Sequence, residues 1–292
     1  DDGIRDSVAA RGLGDVYKRQ ELAYWDIIGK FCNKPVYKLL GGQVNEKIQA
    51  YANGWYTVDR TPEEFGSAAQ RVLEKGYEAM KFDPFGNGDM ELDRKEFYRS
   101  LDLIESVASV AGTRAQIMIE MHGRFAPVQA REIAKQIEKY NIGWLEEPVR
   151  PGDIPALESV RQHTHLPIAT GERLYGAAEF RDIWGSQNVD ILQPDINWVG
   201  GLTTCLKISA AADSAGKKVI LHAGGRNPYG QHFSHASSST PWLEYFVGAD
   251  PGVPLSKTTL LPDQPVPVDG LIEPDDRHGF GLGIDEQWLV PW

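Results

Sequence analysis

The sequence predicts one α/β barrel of parallel strands, and three observations predict it. The first is length, since 292 residues suit one large barrel or two average domains. The second is alternation: from Glu46 onward, short apolar runs exchange with longer amphipathic stretches in seven or eight units, roughly 25 to 30 residues apart, as parallel strands joined by helices do. The third is where the glycines fall. Gly171, Gly200-Gly201 and Gly224-Gly225 follow later strands, where barrel loops gather, and no glycine-rich phosphate turn follows the first strand as in a doubly wound open sheet.

In chain order, residues 1–20 lack an amphipathic period and read as an irregular segment of non-native character, ahead of a helix from Glu21 to Lys30. Strands are expected at Ile48–Asn53, Ala79–Phe82, Ala115–Met121, Ile142–Glu146, Pro167–Thr170, Ile191–Gln193, Val219–His222 and Trp242–Phe246. After the first strand, Thr61-Pro62-Glu63-Glu64 carries the signals of a helix start. Thr61 is the N-cap, Pro62 opens the first turn, and Glu64 closes a capping box, with Gly76 as the stop. Further helices are expected at Ala126–Tyr140, Asp153–His163, Ala177–Ser186 and Leu202–Gly216. Beyond Phe246 the chain turns rich in Pro, Gly and Asp, which predicts a tail wrapped over the surface. The divisions are thus 1–20, a barrel over 21–261, and a tail over 262–292.

Composition narrows the function classes. Thirty Lys and Arg against 41 Asp and Glu give a net charge of −11, which disfavours nucleic acid as a partner. Two cysteines, Cys32 and Cys205, exclude a disulfide framework or a cysteine-based zinc site and fit a reducing compartment, so a cytoplasmic location is expected. No apolar run approaches the roughly 18 residues of a membrane span, and the first residues form no signal-peptide core.

Chemistry concentrates where apolar runs end. Glu120-Met121-His122 closes one run, and alternation along a strand turns Glu120 and His122 the same way. Trp144-Leu145-Glu146-Glu147-Pro148 puts two carboxylates after a strand, where burial without a cation is costly. Ile168-Ala169-Thr170-Gly171-Glu172-Arg173 repeats the pattern. Taken singly, the first reads equally as a solvated strand end, and the other two read sooner as an acidic helix start and a Glu172–Arg173 salt bridge. The spacing changes that balance, because Glu120, Glu146 and Glu172 lie at equal intervals of 26 residues. Three consecutive barrel strands then bring three hard oxygen ligands to one point, a set suited to Mg²⁺ rather than zinc. Further on, Asp195 and His222 follow neighbouring strands, so an Asp can orient an imidazole and raise its basicity. Glu244, inside Trp242-Leu243-Glu244-Tyr245-Phe246, needs a partner: a substrate hydroxyl, His222 or a lysine. His232 and His235 read as helix-start residues before they read as a metal pair, and Cys205 reads as packing.

These residues resemble the enolase superfamily, in particular its mandelate racemase branch and the acid-sugar dehydratases within it. The resemblance runs from about Glu21 to the end. It is carried by Trp25-Asp26-Ile27-Ile28-Gly29-Lys30, Leu39-Leu40-Gly41-Gly42, Glu120-Met121-His122-Gly123-Arg124-Phe125, Glu146-Glu147-Pro148, Gly171-Glu172-Arg173, and Gln193-Pro194-Asp195 with Gly200-Gly201. It implies a modified (β/α)₇β barrel, a form of TIM barrel, with Mg²⁺ held by Glu120, Glu146 and Glu172. It also implies that His222, supported by Asp195, removes the proton α to a carboxylate, and that His122 protonates a departing 3-hydroxyl. Glu244 and Lys81 are then expected to bind the substrate carboxylate, with Asp83 and Arg124 as further substrate contacts. Where many members carry Lys-x-Lys, this chain has Lys81-Phe82-Asp83, which argues against two-base racemisation. Asp83 either meets a sugar hydroxyl or pairs with Lys81.

The implied activity is a Mg²⁺-dependent dehydratase of a sugar acid of the aldonate class, giving a 2-keto-3-deoxy acid, with a homo-oligomer as the expected assembly. The alternatives are a cycloisomerase or epimerase of a related acid, and a truncated, non-catalytic barrel. Nothing before Glu21 resembles the family's N-terminal capping domain, so the expectation is a barrel without that lid and with weak activity.

Overall fold

The computed structural model describes residues 19–247 and 261–285; the predicted irregular segment lies outside these but for its last two residues. Helix α1 spans 19–31 and is followed by a short α2, Val36–Leu39. Seven β/α units come next: β1 Ile48–Asn53, α3 Pro62–Glu74, β2 Ala79–Phe82, α4 Arg94–Ala111, β3 Gln116–Glu120, α5 Pro127–Ile137, β4 Ile142–Glu146, α6 Ile154–Arg161, β5 Ile168–Thr170, α7 Gly176–Trp184, β6 Ile191–Leu192, α8 Gly201–Ser214, β7 Lys218–Val219 and α9 Pro228–Ala236. An eighth strand, β8 Trp242–Phe246, follows them. This is the (β/α)₇β arrangement, and all eight strands are parallel.

The ladder runs β7-β6-β5-β4-β3-β2-β1-β8. Between β7 and the β8 side, Val219 N–H donates to Ser239 O at 3.1 Å and Gly225 N–H to Glu244 O at 2.8 Å. Inside the barrel, Tyr51, Ala79, Met118, Trp144, Ala169, Ile191 and Ile220 form one buried layer, drawn from successive strands or the residue just after one. A larger apolar layer fills the space between strands and helices. In it α3 turns Phe65, Ala68, Ala69 and Val72 inward, the i, i+3, i+4, i+7 face of a helix. Fully burying side chains of this size contributes roughly 1.5–3 kcal/mol for each large one.

Local chemistry explains the ends of the elements. Thr61 Oγ1 accepts from Glu64 N–H at 3.3 Å, as an N-cap does, but Thr61 N–H donates to Asp59 O at 2.8 Å, so only half of the predicted capping box forms. Asp93 caps α4 by accepting from Glu96 N–H at 2.8 Å. No side chain of its own caps α8; Glu21 from α1 does so instead, accepting from Leu202 N–H at 2.8 Å and Thr203 N–H at 2.9 Å. A carboxylate at that helix N-terminus also meets the favourable end of the helix dipole.

Three strands are shorter than the apolar runs predict. β5, β6 and β7 hold three, two and two residues, and the chain leaves the ladder early to form the turns that carry Glu172, Asp195 and His222. Of the predicted tail, Leu271–Ile272 forms β9, which pairs antiparallel with β1, and Gly279 bridges to Pro35. No helix among the described residues is long and apolar enough to cross a membrane.

Candidate active site

Glu120 and Glu146 are the last residues of β3 and β4 and stand opposite each other in register. Glu172 follows β5 by two residues, delivered by Gly171, whose φ of 133° is closed to most other residues. The three side chains are buried, and one oxygen from each lies within 4.8 Å of the others. Glu146 is anchored on both sides: its Oε2 accepts from Trp144 Nε1 at 2.9 Å and Gln193 Nε2 at 2.7 Å, and its Oε1 meets the Lys81 ammonium. Glu120 Oε1 accepts from His122 N–H at 2.7 Å. Arg173 reaches Glu172 at 2.8 Å and also pairs with Glu147, so the salt bridge and the carboxylate cluster coexist.

Lys81 sits at the centre of this charge. It is 1% exposed and lies 3.1 Å from Glu120 and 2.8 Å from Glu244, besides its contact with Glu146. Burial pulls its pKa down, but the surrounding carboxylates win and hold it well above the ordinary lysine value. The same balance splits the acids. Burial and the Glu146 charge push Glu120 up to about 8. Burial likewise raises Glu172, whereas the Lys81 ammonium overcomes burial at Glu146 and lowers it.

A divalent cation fits this donor set. Glu120, Glu146 and Glu244 share the one ammonium of Lys81, Glu172 stands beside Arg173 at 2.8 Å, and burial with the Glu146 charge disfavours the ionised form of Glu120. Every donor in the trio is a hard oxygen.

Two Asp–His pairs flank the trio. His222 Nδ1 lies 2.8 Å from Asp195 Oδ2, and its Nε2 is 3.6 Å from Glu172. Burial pushes this imidazole down, but the Asp195 hydrogen bond and the charges of Glu244 and Glu172 lift it to about 9. On the other side, His122 Nδ1 lies 2.6 Å from Asp83 Oδ2, which Arg124 also meets at 2.6 Å. His122 is raised too: burial opposes the charge, while Glu120 and the bond to Asp83 favour it. Each imidazole lines its own cavity. One of about 390 Å³ adds Asn197, Trp198, Arg226 and Asn227 to Asp195 and His222. The other, of about 580 Å³, joins Tyr56, Arg60, Asp83 and His122.

Of the partners expected for Glu244, the lysine is the one it meets. Its oxygens accept from Asn53 Nδ2 at 2.7 Å and Ala223 N–H at 2.6 Å and face Lys81, so three donors within the chain already hold it. Asp83 does not pair with Lys81. Its Oδ1 accepts from Phe85 N–H at 2.9 Å, and its Oδ2 meets His122 and Arg124. Asn53, Trp144 and Gln193 were missed by sequence reasoning as site residues. Asn53 at the end of β1, Gln193 just after β6 and Trp144 two residues before Glu146, on the same face of β4, were the available signal.

Residues 64–288 match the family described as Enolase C-terminal domain-like. The chain belongs to that family. Its curated relatives include the D-gluconate dehydratase of Thermoproteus tenax, 34% identical over 92% of this chain and 54% of the relative. The D-gluconate/D-galactonate dehydratase of Picrophilus torridus is 36% identical over 69% of this chain and 52% of its own length. The chain therefore spans about half the length of these two relatives. It covers 71% of the D-galactonate dehydratase of Ralstonia pickettii, at 34% identity. Among solved structures, the mandelate racemase/muconate lactonizing enzyme from Jannaschia sp. CCS1 superposes with a TM-score of 0.83 at 30% identity, over 94% of this chain and 73% of that one. This enolase-type barrel thus has relatives named for dehydration of sugar acids.

Proposed function

We propose that this barrel carries the catalytic centre of a Mg²⁺-dependent dehydratase of aldonic acids, which forms 2-keto-3-deoxy acids. The observation that carries the reading is the buried trio Glu120, Glu146 and Glu172 set between two imidazoles, each held by its own aspartate. The names of the relatives support the substrate class.

Glu120, Glu146 and Glu172 would hold Mg²⁺, which when bound would supply positive charge that makes the carbon α to the substrate carboxylate more acidic. The rest falls to side chains of this chain. His222 Nε2 takes the α proton, and Asp195 holds the ring with Nδ1 as donor and steadies the charge it acquires. His122 gives a proton to the 3-hydroxyl as the C3–O bond breaks, so oxygen leaves as water with the bonding pair. A C2–C3 double bond forms, and the resulting enol becomes the keto acid. Lys81, buried among carboxylates, fixes Glu146 and Glu120 and adds a positive charge near the substrate carboxylate; Glu244 serves to hold Lys81. Arg124 braces Asp83 at the wall of the second cavity, where substrate hydroxyls lie. Two free cysteines, one exposed and one buried, accord with a reducing, cytoplasmic setting.

A screen of aldonates for keto acid release tests this. Product is expected with Mg²⁺ and none with EDTA. Keto acid formed in EDTA, or by Glu172→Gln, contradicts the reading, and solvent deuterium uptake without keto acid selects an epimerase or cycloisomerase instead.

A further inference from the structure

The two Asp–His pairs are built on one device. In the first, Asp195 stands beyond β6, accepts the N–H two residues on (Asn197, 2.7 Å) with Oδ1, and offers Oδ2 to Nδ1 of His222, beyond the neighbouring β7. In the second, Asp83 stands directly beyond β2, accepts the N–H two residues on (Phe85, 2.9 Å) with Oδ1, and offers Oδ2 to Nδ1 of His122, beyond the neighbouring β3. In both, an aspartate closes a turn on its own backbone and is thereby aimed at the imidazole of the next strand. Both turns also contain a left-handed residue, His122 itself with φ 52° in one and Ala223, the residue after His222, with φ 51° in the other.

We propose that Asp83 is the positioning residue of His122, a counterpart on the acid side of what Asp195 is to His222. This rests on the dehydratase reading above and deepens it. With Nδ1–H committed to Asp83, the nitrogen left to face the cavity is Nε2, so a proton passed to a departing hydroxyl leaves from a fixed place. Arg124 marks the difference between the pairs. It shares Oδ2 with His122 and donates to Gly86 O at 2.7 Å, which ties Asp83 to the loop after β2. Asp83 therefore acts through His122 and need not touch substrate.

The role predicts a split that loss of packing alone does not produce. Removal of the α proton depends on His222 and continues without Asp83, whereas departure of the 3-hydroxyl slows. In D₂O with an aldonate that the native protein dehydrates, Asp83→Asn should raise the ratio of α-deuterium uptake to keto acid formed by at least tenfold, and Asp83→Glu should bring it partly back. A second readout needs no turnover: the hydrogen-bonded Nδ1 proton of His122, assigned by NMR through its absence in His122→Gln, should be present in the native chain and in Asp83→Glu and lost in Asp83→Asn. A ratio unchanged in folded Asp83→Asn overturns the proposal, as does a His122 ring proton that survives that substitution. If the native chain gives neither exchange nor keto acid while the ring proton behaves as stated, the dehydratase reading fails and the hold of Asp83 on the ring stands.

Discussion

The arc from β8 through β1 to β4 and the arc from β5 to β7 solve different problems. The first has strands of four to six residues, and Lys81, Glu120, Glu146 and Glu244 leave from within them, with Asp83 and His122 just beyond the ends of β2 and β3. The second has strands of three, two and two residues, and Glu172, Asp195 and His222 stand two or three positions beyond their ends. Where mutual repulsion must be held in a fixed pattern, the ladder holds it. Each imidazole, by contrast, is held at a turn, and hydrogen bonds such as that from Asn197 N–H to Asp195 replace the ladder. The carboxylate trio spans the two arcs.

The largest expected effects test that division. Glu146→Gln removes a charge fixed by the ladder, so calorimetric affinity for divalent cations should fall at least ~100-fold and keto acid formation ~1000-fold or more. His222→Asn should lower turnover by roughly 10²–10⁴ yet leave cation affinity within about threefold, because it removes proton transfer alone. If His222→Asn also abolishes cation binding, the two arcs do not divide the labour in this way.

Stability comes next. Lys81→Met leaves Glu120, Glu146 and Glu244 buried without their ammonium, at a cost of about 3–5 kcal/mol in urea unfolding with chelator present. Added Mg²⁺ should recover part of this. A loss that Mg²⁺ does not touch would mean that Lys81 acts by packing rather than charge.

Much of this division was legible in the sequence, and its limits have physical causes. Equal 26-residue intervals place Glu120, Glu146 and Glu172 at the ends of consecutive strands because the two β/α units between them have the same length, β3, β4 and β5 starting at Gln116, Ile142 and Ile168. The shortness of β6 and β7 was not legible. Ile191-Leu192-Gln193 and Val219-Ile220-Leu221 read as strands because they are apolar and buried, and burial does not require pairing: Ile220 and Leu221 are fully buried beyond the end of β7. Helix α4 was not singled out because its first turn is charged, Arg94-Lys95-Glu96, and its apolar face opens only at Phe97. The partner of Asp83 was hidden for another reason. Asp83 meets His122 and not Lys81, with its other oxygen taken by the Phe85 N–H, a backbone detail that residue types do not carry.

The smallest effect lies behind the shorter arc, in α9. His232 is 2% exposed, its Nδ1 accepts from Tyr37 N–H at 3.2 Å, and burial together with His235 lowers it to about 4. Its folded value lies below the unfolded one, so the unfolded chain binds the extra proton. Stability should therefore fall as pH drops below about 6.5 and level off below about 4, by about 2 kcal/mol between pH 7 and 5. His232→Asn keeps an acceptor for Tyr37 and should flatten that slope in urea titrations at the two pH values; an unchanged slope assigns the acid sensitivity elsewhere.

The central claim is that Glu120, Glu146 and Glu172 surround one cation. Anomalous diffraction from crystals soaked in Mn²⁺ tests it most directly. One strong peak bonded to an oxygen from each of the three is predicted, and its loss in Glu172→Gln; a peak away from them, or three carboxylates that point to separate places with the ion present, contradicts it.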